Sequence, residues 1–228
     1  RKAVVKLLLE HSAKTSQSDE YGNTVLMWAA DKGQEGVVKL LLDRGAEVNQ
    51  RSEASMTALM WAARNGHEAV VKLLLNRGAE VNQRNEAGRT ALVWAAEKGH
   101  EVTVKLLLEH DAEVNQKNEY GNSVLMGAAQ KGYEAIVKLL LEHGAKVNQK
   151  NEAGRTALDL AVNACEESVA KLLRSRGAIV NVRDLNNTAN PNSNAPQSMF
   201  FKVGGAAGTL PDTSPVKEGM PDSEELDG

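Results

Sequence analysis

A block of 33 residues repeats along this chain, and this period constrains the fold more than any single residue does. Three kinds of residue keep the period independently: glycine, with Asp111 in the one slot where it is replaced, a hydroxyl residue, and asparagine. Their positions are Gly45, Gly78, Gly144 and Gly177; Thr24, Thr57, Thr90, Ser123 and Thr156; and Asn49, Asn82, Asn115, Asn148 and Asn181. A fixed period of this length is typical of a solenoid, in which copies of one small unit stack along an axis.

Each unit predicts two short helices joined by a turn. In residues 52–84, Thr57 precedes a short apolar stretch, as expected of a hydroxyl that caps the first turn of a helix. A second apolar stretch follows the turn at Gly66 and ends before Gly78, a residue suited to the left-handed conformation that terminates helices. Helices this short are marginal in water, so their stability must come from packing between neighbouring units.

The order of these motifs resembles the ankyrin repeat. The resemblance is carried by Thr57-Ala-Leu-Met-Trp-Ala-Ala, by Gly66-His-Glu-Ala-Val-Val-Lys-Leu-Leu-Leu and by Gly78-Ala-Glu-Val-Asn82. It implies an all-α helix-turn-helix solenoid with short hairpin turns. The five full repeats are expected at residues 19–51, 52–84, 85–117, 118–150 and 151–183.

Two residues that the family usually has are missing from every copy. The family carries a proline at the first position of the first helix and a histidine two positions later. Here the corresponding residues of the second repeat are Ala58 and Met60, and the other repeats lack both residues as well. Because proline restricts the backbone before folding, we expect this array to be less rigid than one with the full pattern.

The ends of the chain depart from the repeat. Residues 1–18 match only the second helix of a unit, and Arg1 is not an initiator methionine, so we expect further sequence upstream. In the fifth repeat Arg174 replaces a leucine and Cys165 replaces a turn glycine, as suits a terminal unit with a polar outer side. Residues 184–228 are rich in Asn, Pro, Ser, Gly and acidic residues and predict a disordered acidic tail.

The distribution of charge argues against nucleic acid or an anionic membrane as a partner. Residues 190–228 contain two lysines and six acidic residues, a net charge of −4, and because the whole chain carries −3, the rest carries +1. A nearly neutral array does not attract polyanions. There is no apolar run of about 18 residues and no signal segment, and the single cysteine, Cys165, suits a reducing compartment. We expect a monomeric array in the cytoplasm or nucleus.

No motif predicts catalysis, a metal site or a cofactor. The sequence lacks Gly-x-Ser-x-Gly, a phosphate-binding loop ending in Gly-Lys-Ser or Gly-Lys-Thr, and His-Glu-x-x-His. Carboxylates such as Glu47 and Glu80 recur in repeated slots, which stacking explains better than a single active site does. Successive histidines lie a full repeat apart and Cys165 has none beside it in sequence, so no zinc site is expected.

Three tryptophans, Trp28, Trp61 and Trp94, share one slot of the first helix. A row of indoles is compatible with a stacking platform for bases or methylated amines. We favour the alternative that the rings pack between repeats, because leucine is the family's usual residue in this slot. Gly127 holds the slot in the fourth repeat and predicts a thinner contact there.

The resemblance also implies where a partner would bind. In ankyrin-like arrays the hairpin tips and the exposed side of the first helix line a concave groove. Here these positions vary between copies, although recent duplication would explain part of the pattern, and tyrosine and arginine concentrate binding energy at interfaces. We therefore predict a partner-binding face formed by Tyr21, Asn23, Lys32, Met56, Arg64, Arg89, Lys98, Tyr120, Asn122, Lys131 and Arg155.

Together these features favour a non-catalytic scaffold that binds a protein partner and belongs to a larger protein. One alternative is that the array is the sensor or autoinhibitory arm of an enzyme or nucleotide-driven switch whose catalytic region lies upstream. A further alternative is self-association, in which the acidic tail lies in the groove of its own array or of a neighbouring one.

Overall fold

The computed structural model describes residues 15–179 of the chain. Within this range there are ten α-helices, two in each of the predicted repeats. The first helices are α1 (Val25–Asp31), α3 (Ala58–Arg64), α5 (Ala91–Lys98), α7 (Val124–Gln130) and α9 (Ala157–Asn163). The second helices are α2 (Glu35–Asp43), α4 (Glu68–Asn76), α6 (Glu101–Glu109), α8 (Glu134–Glu142) and α10 (Glu167–Ser175). None of these described helices is long and apolar enough to cross a membrane.

This arrangement confirms the predicted all-α solenoid of helix hairpins. Two parts of the prediction fall outside the described residues. The partial repeat predicted at 1–18 lies almost entirely before residue 15, and the acidic tail predicted at 184–228 lies beyond residue 179.

The first helix of each described repeat begins at a hydroxyl residue, as predicted. Thr57 has an extended backbone, and its Oγ1 accepts a hydrogen bond of 3.2 Å from the amide of Met60. The hydroxyls of Thr24, Thr90, Ser123 and Thr156 cap their helices in the same way. In the fifth repeat the Asp159 carboxylate also accepts a bond of 2.8 Å from the amide of Thr156, which closes a reciprocal capping box.

The five described second helices begin without a side-chain cap. In the second and third repeats the residue before the second helix is a histidine, and its ring contacts the preceding repeat. Nε2 of His67 lies 2.8 Å from the carbonyl oxygen of Asp31, and Nε2 of His100 lies 3.1 Å from that of Arg64. Each histidine therefore joins the start of its second helix to the end of the first helix in the preceding repeat. After α4, Gly78 adopts the predicted left-handed conformation at φ +82°.

The repeats stack with their first helices side by side. Each first helix packs against the first helices of its neighbours and against its own second helix. Leucine, valine, alanine and methionine side chains form one core that runs from Leu26 to Leu173. Neighbouring first helices pack more closely than neighbouring second helices do, so the array curves toward the side of the first helices.

The periodic asparagines connect one repeat to the next. Nδ2 of Asn82 donates to the carbonyl oxygen of Asp111 at 3.1 Å, and its Oδ1 accepts from the amide of Glu113 at 2.8 Å. Asn49, Asn115 and Asn148 make the same pair of bonds across their repeat boundaries. Asn181 lies outside the described residues. These bonds give a physical reason for the asparagine period.

Candidate protein-binding face

The hairpin tips form a continuous edge beside the first helices. In the first repeat Oδ1 of Asp19 closes the tip by accepting from the amides of Tyr21 and Asn23, at 3.0 and 2.8 Å. The amide of Glu53 in the next tip donates to the carbonyl oxygen of Tyr21 at 3.0 Å, so that neighbouring tips are joined. We use the term concave face for this edge together with the exposed side of the first helices.

Most of the residues predicted to bind a partner are accessible on this face. Tyr21 and Tyr120 project from two tips and are 54% and 45% exposed. The three predicted lysines are exposed at or just beyond the ends of first helices, at Lys32, Lys98 and Lys131. The remaining accessible residues are half-buried: Asn23, Arg64 and Arg155.

Three of the predicted contact residues are buried, so their predicted place on an accessible surface is wrong. Met56 is 1% exposed and belongs to the core. Arg89 is buried as well, and its guanidinium pairs with Glu97 at 3.1 Å. The side chain of Asn122 is directed to the next repeat, where its Oδ1 accepts from Nδ2 of Asn151 at 2.8 Å. In the described structure all three side chains therefore lie against other residues of the array.

Tryptophans and arginines alternate along the middle of the concave face. Trp61 and Trp94 are buried between repeats, as predicted, whereas Trp28 is half-buried. The guanidinium of Arg64 lies 5.2 Å from the ring centroid of Trp61 and 5.1 Å from that of Trp94. Arg89 lies 4.8 Å from the Trp94 ring. At these distances a cation is attracted to an aromatic ring, so both arginines help to fix the rings.

Two carboxyl groups of this face have shifted pKa values. Burial raises the pKa of Glu97 above its ordinary value, although the positive charge of Arg89 opposes the shift. Burial also acts to raise the pKa of Asp19, but hydrogen bonds from Asn23, Tyr21 and Trp28 outweigh it and leave this pKa below its ordinary value. Within residues 15–179 there is no group of three or more His, Cys, Asp or Glu side chains that could hold a metal ion.

The glycine in the tryptophan slot of the fourth repeat leaves a recess beside Glu97. A Cβ on Gly127 would lie 3.7 Å from Cγ of Glu97, which is an ordinary contact distance. The recess is small and is lined by Val93, Glu97, Asn118, Asn122, Ser123, Val124 and Gly127. The thinner contact predicted from the sequence therefore corresponds to an open space.

Besides Arg64, which the sequence predicts to be part of the binding face, the equivalent residues of the neighbouring repeats also lie on the concave face. Asp31, Arg64 and Glu97 occupy one slot in successive repeats and lie beside the tryptophans or their arginines. A spacing of three residues from the tryptophan slot was the available indication, since residues at i and i+3 share one side of a helix.

Comparison with known proteins agrees with this architecture. A family model described as ankyrin repeats matches the chain in three copies, at residues 1–52, 49–118 and 112–184. No curated protein matched the sequence. Ankyrin repeats are generally protein–protein interaction modules and are typically non-catalytic.

Proposed function

The chain belongs to the ankyrin-repeat family, and we propose that it is a non-catalytic scaffold that binds a protein partner through its concave face. The exposed tyrosines Tyr21 and Tyr120 are the main support for this choice of face, because large aromatic side chains on a surface concentrate binding energy. Exposed lysines at the ends of the first helices add positive charge to this face, and the rim of an interface is typically polar. Whether the array also serves as the sensor or autoinhibitory arm of a larger enzyme stays a prediction.

The test is affinity capture with the chain as bait, followed by measurement of Kd for each partner identified. A triple variant, Tyr21→Ala, Lys98→Ala and Tyr120→Ala, should weaken binding about tenfold or more, the loss expected for a few interface anchors. The matched control replaces Lys72, Lys105 and Lys138, which are exposed on the second helices. Equal losses in both triple variants, or a fall in Tm of the first, would overturn the assignment to the concave face.

We also propose that the array acts as a monomer inside the cell. The single Cys165 is exposed and supports a reducing compartment. Light scattering of the reduced protein over a range of concentrations should give the mass of one chain. A mass that rises with concentration would favour self-association instead.

A further inference from the structure

The concave face already holds one arginine against two tryptophans. Cζ of Arg64 lies 5.2 Å from the ring centroid of Trp61 and 5.1 Å from that of Trp94. Since Trp61 and Trp94 occupy the same slot in consecutive repeats, their rings form a two-ring site for one guanidinium. The array thus already binds one of its own arginine side chains between two tryptophan rings.

The preceding gap, between Trp28 and Trp61, has both rings but a different residue in the arginine slot. Asp31 stands one repeat before Arg64 and takes its place. A shallow, partly open cleft lies at this point. It is lined by Asn23, Met27, Trp28, Asp31 and Trp61. The position between two rings that Arg64 takes in one gap is therefore not taken by an arginine in the other.

One acidic residue, Asp31, lines this cleft, and a second, Asp19, is hydrogen-bonded to one of its rings. The side chain of Asp31 is only 11% exposed, and Asp19 accepts a hydrogen bond of 3.2 Å from the indole of Trp28. Among the described residues, the basic group that pairs with Asp31 is Lys32, at 3.0 Å, and its side chain is 56% exposed. Ion pairs with so exposed a lysine contribute little, so an entering cation can replace it. Asn65 occupies the other carboxylate oxygen at 2.9 Å and leaves further lone pairs available.

We propose that the cleft between Trp28 and Trp61 receives an arginine side chain of a protein partner, with Asp31 as its counter-ion. This proposal rests on the proposed function and narrows it to partners that expose an arginine. A planar guanidinium stacks on indole rings and forms parallel hydrogen bonds to a carboxylate, whereas a lysine ammonium does neither. A nucleobase would also stack, but Asp19 and Asp31 repel the phosphates that accompany it.

The probe for this site is N-acetyl-arginine amide, titrated into the whole chain at constant ionic strength. In NMR spectra the indole N–H resonance of Trp28 reports on the cleft, that of Trp94 on the gap filled by Arg64, and that of Trp61 on both. We expect saturable shifts at Trp28 and Trp61 and little change at Trp94. The neutral analogue citrulline amide should give no shift, and lysine amide and adenosine monophosphate should give weaker shifts or none. Equal shifts with citrulline amide or the nucleotide, or equal shifts at all three indoles, would overturn the proposal.

Two substitutions of Asp31 sharpen the test. Asp31→Asn removes the charge and should weaken binding of the probe about tenfold, the loss of one charge-assisted hydrogen bond. Asp31→Arg should reproduce the Arg64 arrangement, fill the cleft from within and abolish binding. Glu142→Arg makes the same change of charge on the exposed end of α8 and should leave binding unaltered. Circular dichroism of each variant separates loss of the site from loss of folding.

The outcome is distinguishable from that of the proposed function. If the probe does not bind while the tyrosine variant still loses its partner, the concave face binds proteins and the arginine site is wrong. If the probe binds as described and neither the tyrosine variant nor Asp31→Arg affects partner affinity, the cleft is real and the proposed face is wrong.

Discussion

At the scale of single residues, three positions of the array have a backbone conformation that their side chains disfavour: Ser55 at φ +57°, Asp111 and Cys165. Cys165 has φ +59°, in the turn slot where Gly66 has φ +70°, and Asp111 has φ +61° in a slot that is otherwise glycine. A side chain in this left-handed region costs about 1–2 kcal/mol, and less for aspartate because it hydrogen-bonds locally. The departures from the glycine period are therefore places where stability is lost.

We predict that Cys165→Gly raises the free energy of unfolding by about 0.5–1 kcal/mol, because relief of the strained backbone exceeds the added entropy of the unfolded chain. Gly66→Ala is the matched opposite change. A Cβ there would lie 2.5 Å from Nδ1 of His100, so this variant should lose stability by more than the first gains. Urea denaturation measures both, and a loss of stability in Cys165→Gly would contradict the argument.

Glu97 should make the free energy of unfolding depend on pH. Its pKa in the folded chain is raised above the ordinary value, which is 4.5. The folded state therefore keeps a proton over a pH range in which the unfolded state has lost it. The contribution of this group to stability is fully present below the unfolded pKa and is lost as the pH rises through the folded pKa.

Glu97→Gln removes this titration, so its stability relative to the wild type should increase as the pH rises from about 4.5, the unfolded pKa, through the raised folded pKa. Urea denaturation at several pH values gives the difference directly. Glu86→Gln, at an exposed tip position, is the control and should show no such trend. A relative stability of Glu97→Gln that decreases with pH would mean that the ion pair with Arg89 outweighs burial.

At the scale of the helix, the first helices begin correctly without the family's proline. The hydroxyl caps define where each helix starts, and the residue before the missing proline is already extended: Thr24 has φ −84° and ψ 164°. This is the conformation that a residue before proline requires. The lower rigidity expected from the missing prolines stays a prediction, which amide exchange of the turns against the second helices would test.

We predict that Val25→Pro stabilises the array by about 0.4–1 kcal/mol, because proline at the first helical position restricts the unfolded chain without disturbing the helix. Val25 is the suitable site because it is exposed. Val25→Ala is the control, since it removes the valine side chain without fixing the backbone. Thermal denaturation should rank the proline variant above both the wild type and the control, and the reverse order would contradict the prediction.

At the scale of the whole molecule, the stacking of the repeats could be predicted from the sequence more fully than the residues of the accessible face. Residues with a purely local role, such as the cap Thr57 and the terminator Gly78, were predictable because their partners lie within a few residues. Met56 was placed on the surface although it is buried, because burial at a hairpin tip depends on the neighbouring repeat, whose Asn85 contacts it. No single repeat contains that information, which explains why the fold was predictable and part of the face was not.

The hydrogen bonds of the periodic asparagines should couple the unfolding of neighbouring repeats. In a linear stack, stability is the sum of each repeat's own stability and the contacts with its neighbours. Asn82 joins the second and third repeats through two hydrogen bonds, to Asp111 and Glu113. Asn82→Ala should lower the free energy of unfolding by about 1–2 kcal/mol, whereas Asn76→Ala, at the exposed end of α4, should change it by less than about 0.5 kcal/mol.

The position of the change along the stack should determine its effect on cooperativity. Asn82→Ala weakens a central boundary and allows the two halves to unfold separately, which lowers the apparent m value in urea. Asn148→Ala removes the same pair of bonds at the boundary with the fifth repeat, so it should uncouple that repeat alone and lower the m value less. If both variants lose stability with the m value unaltered, the apolar core alone couples the repeats, and the asparagine bonds stabilise the turns without connecting the units.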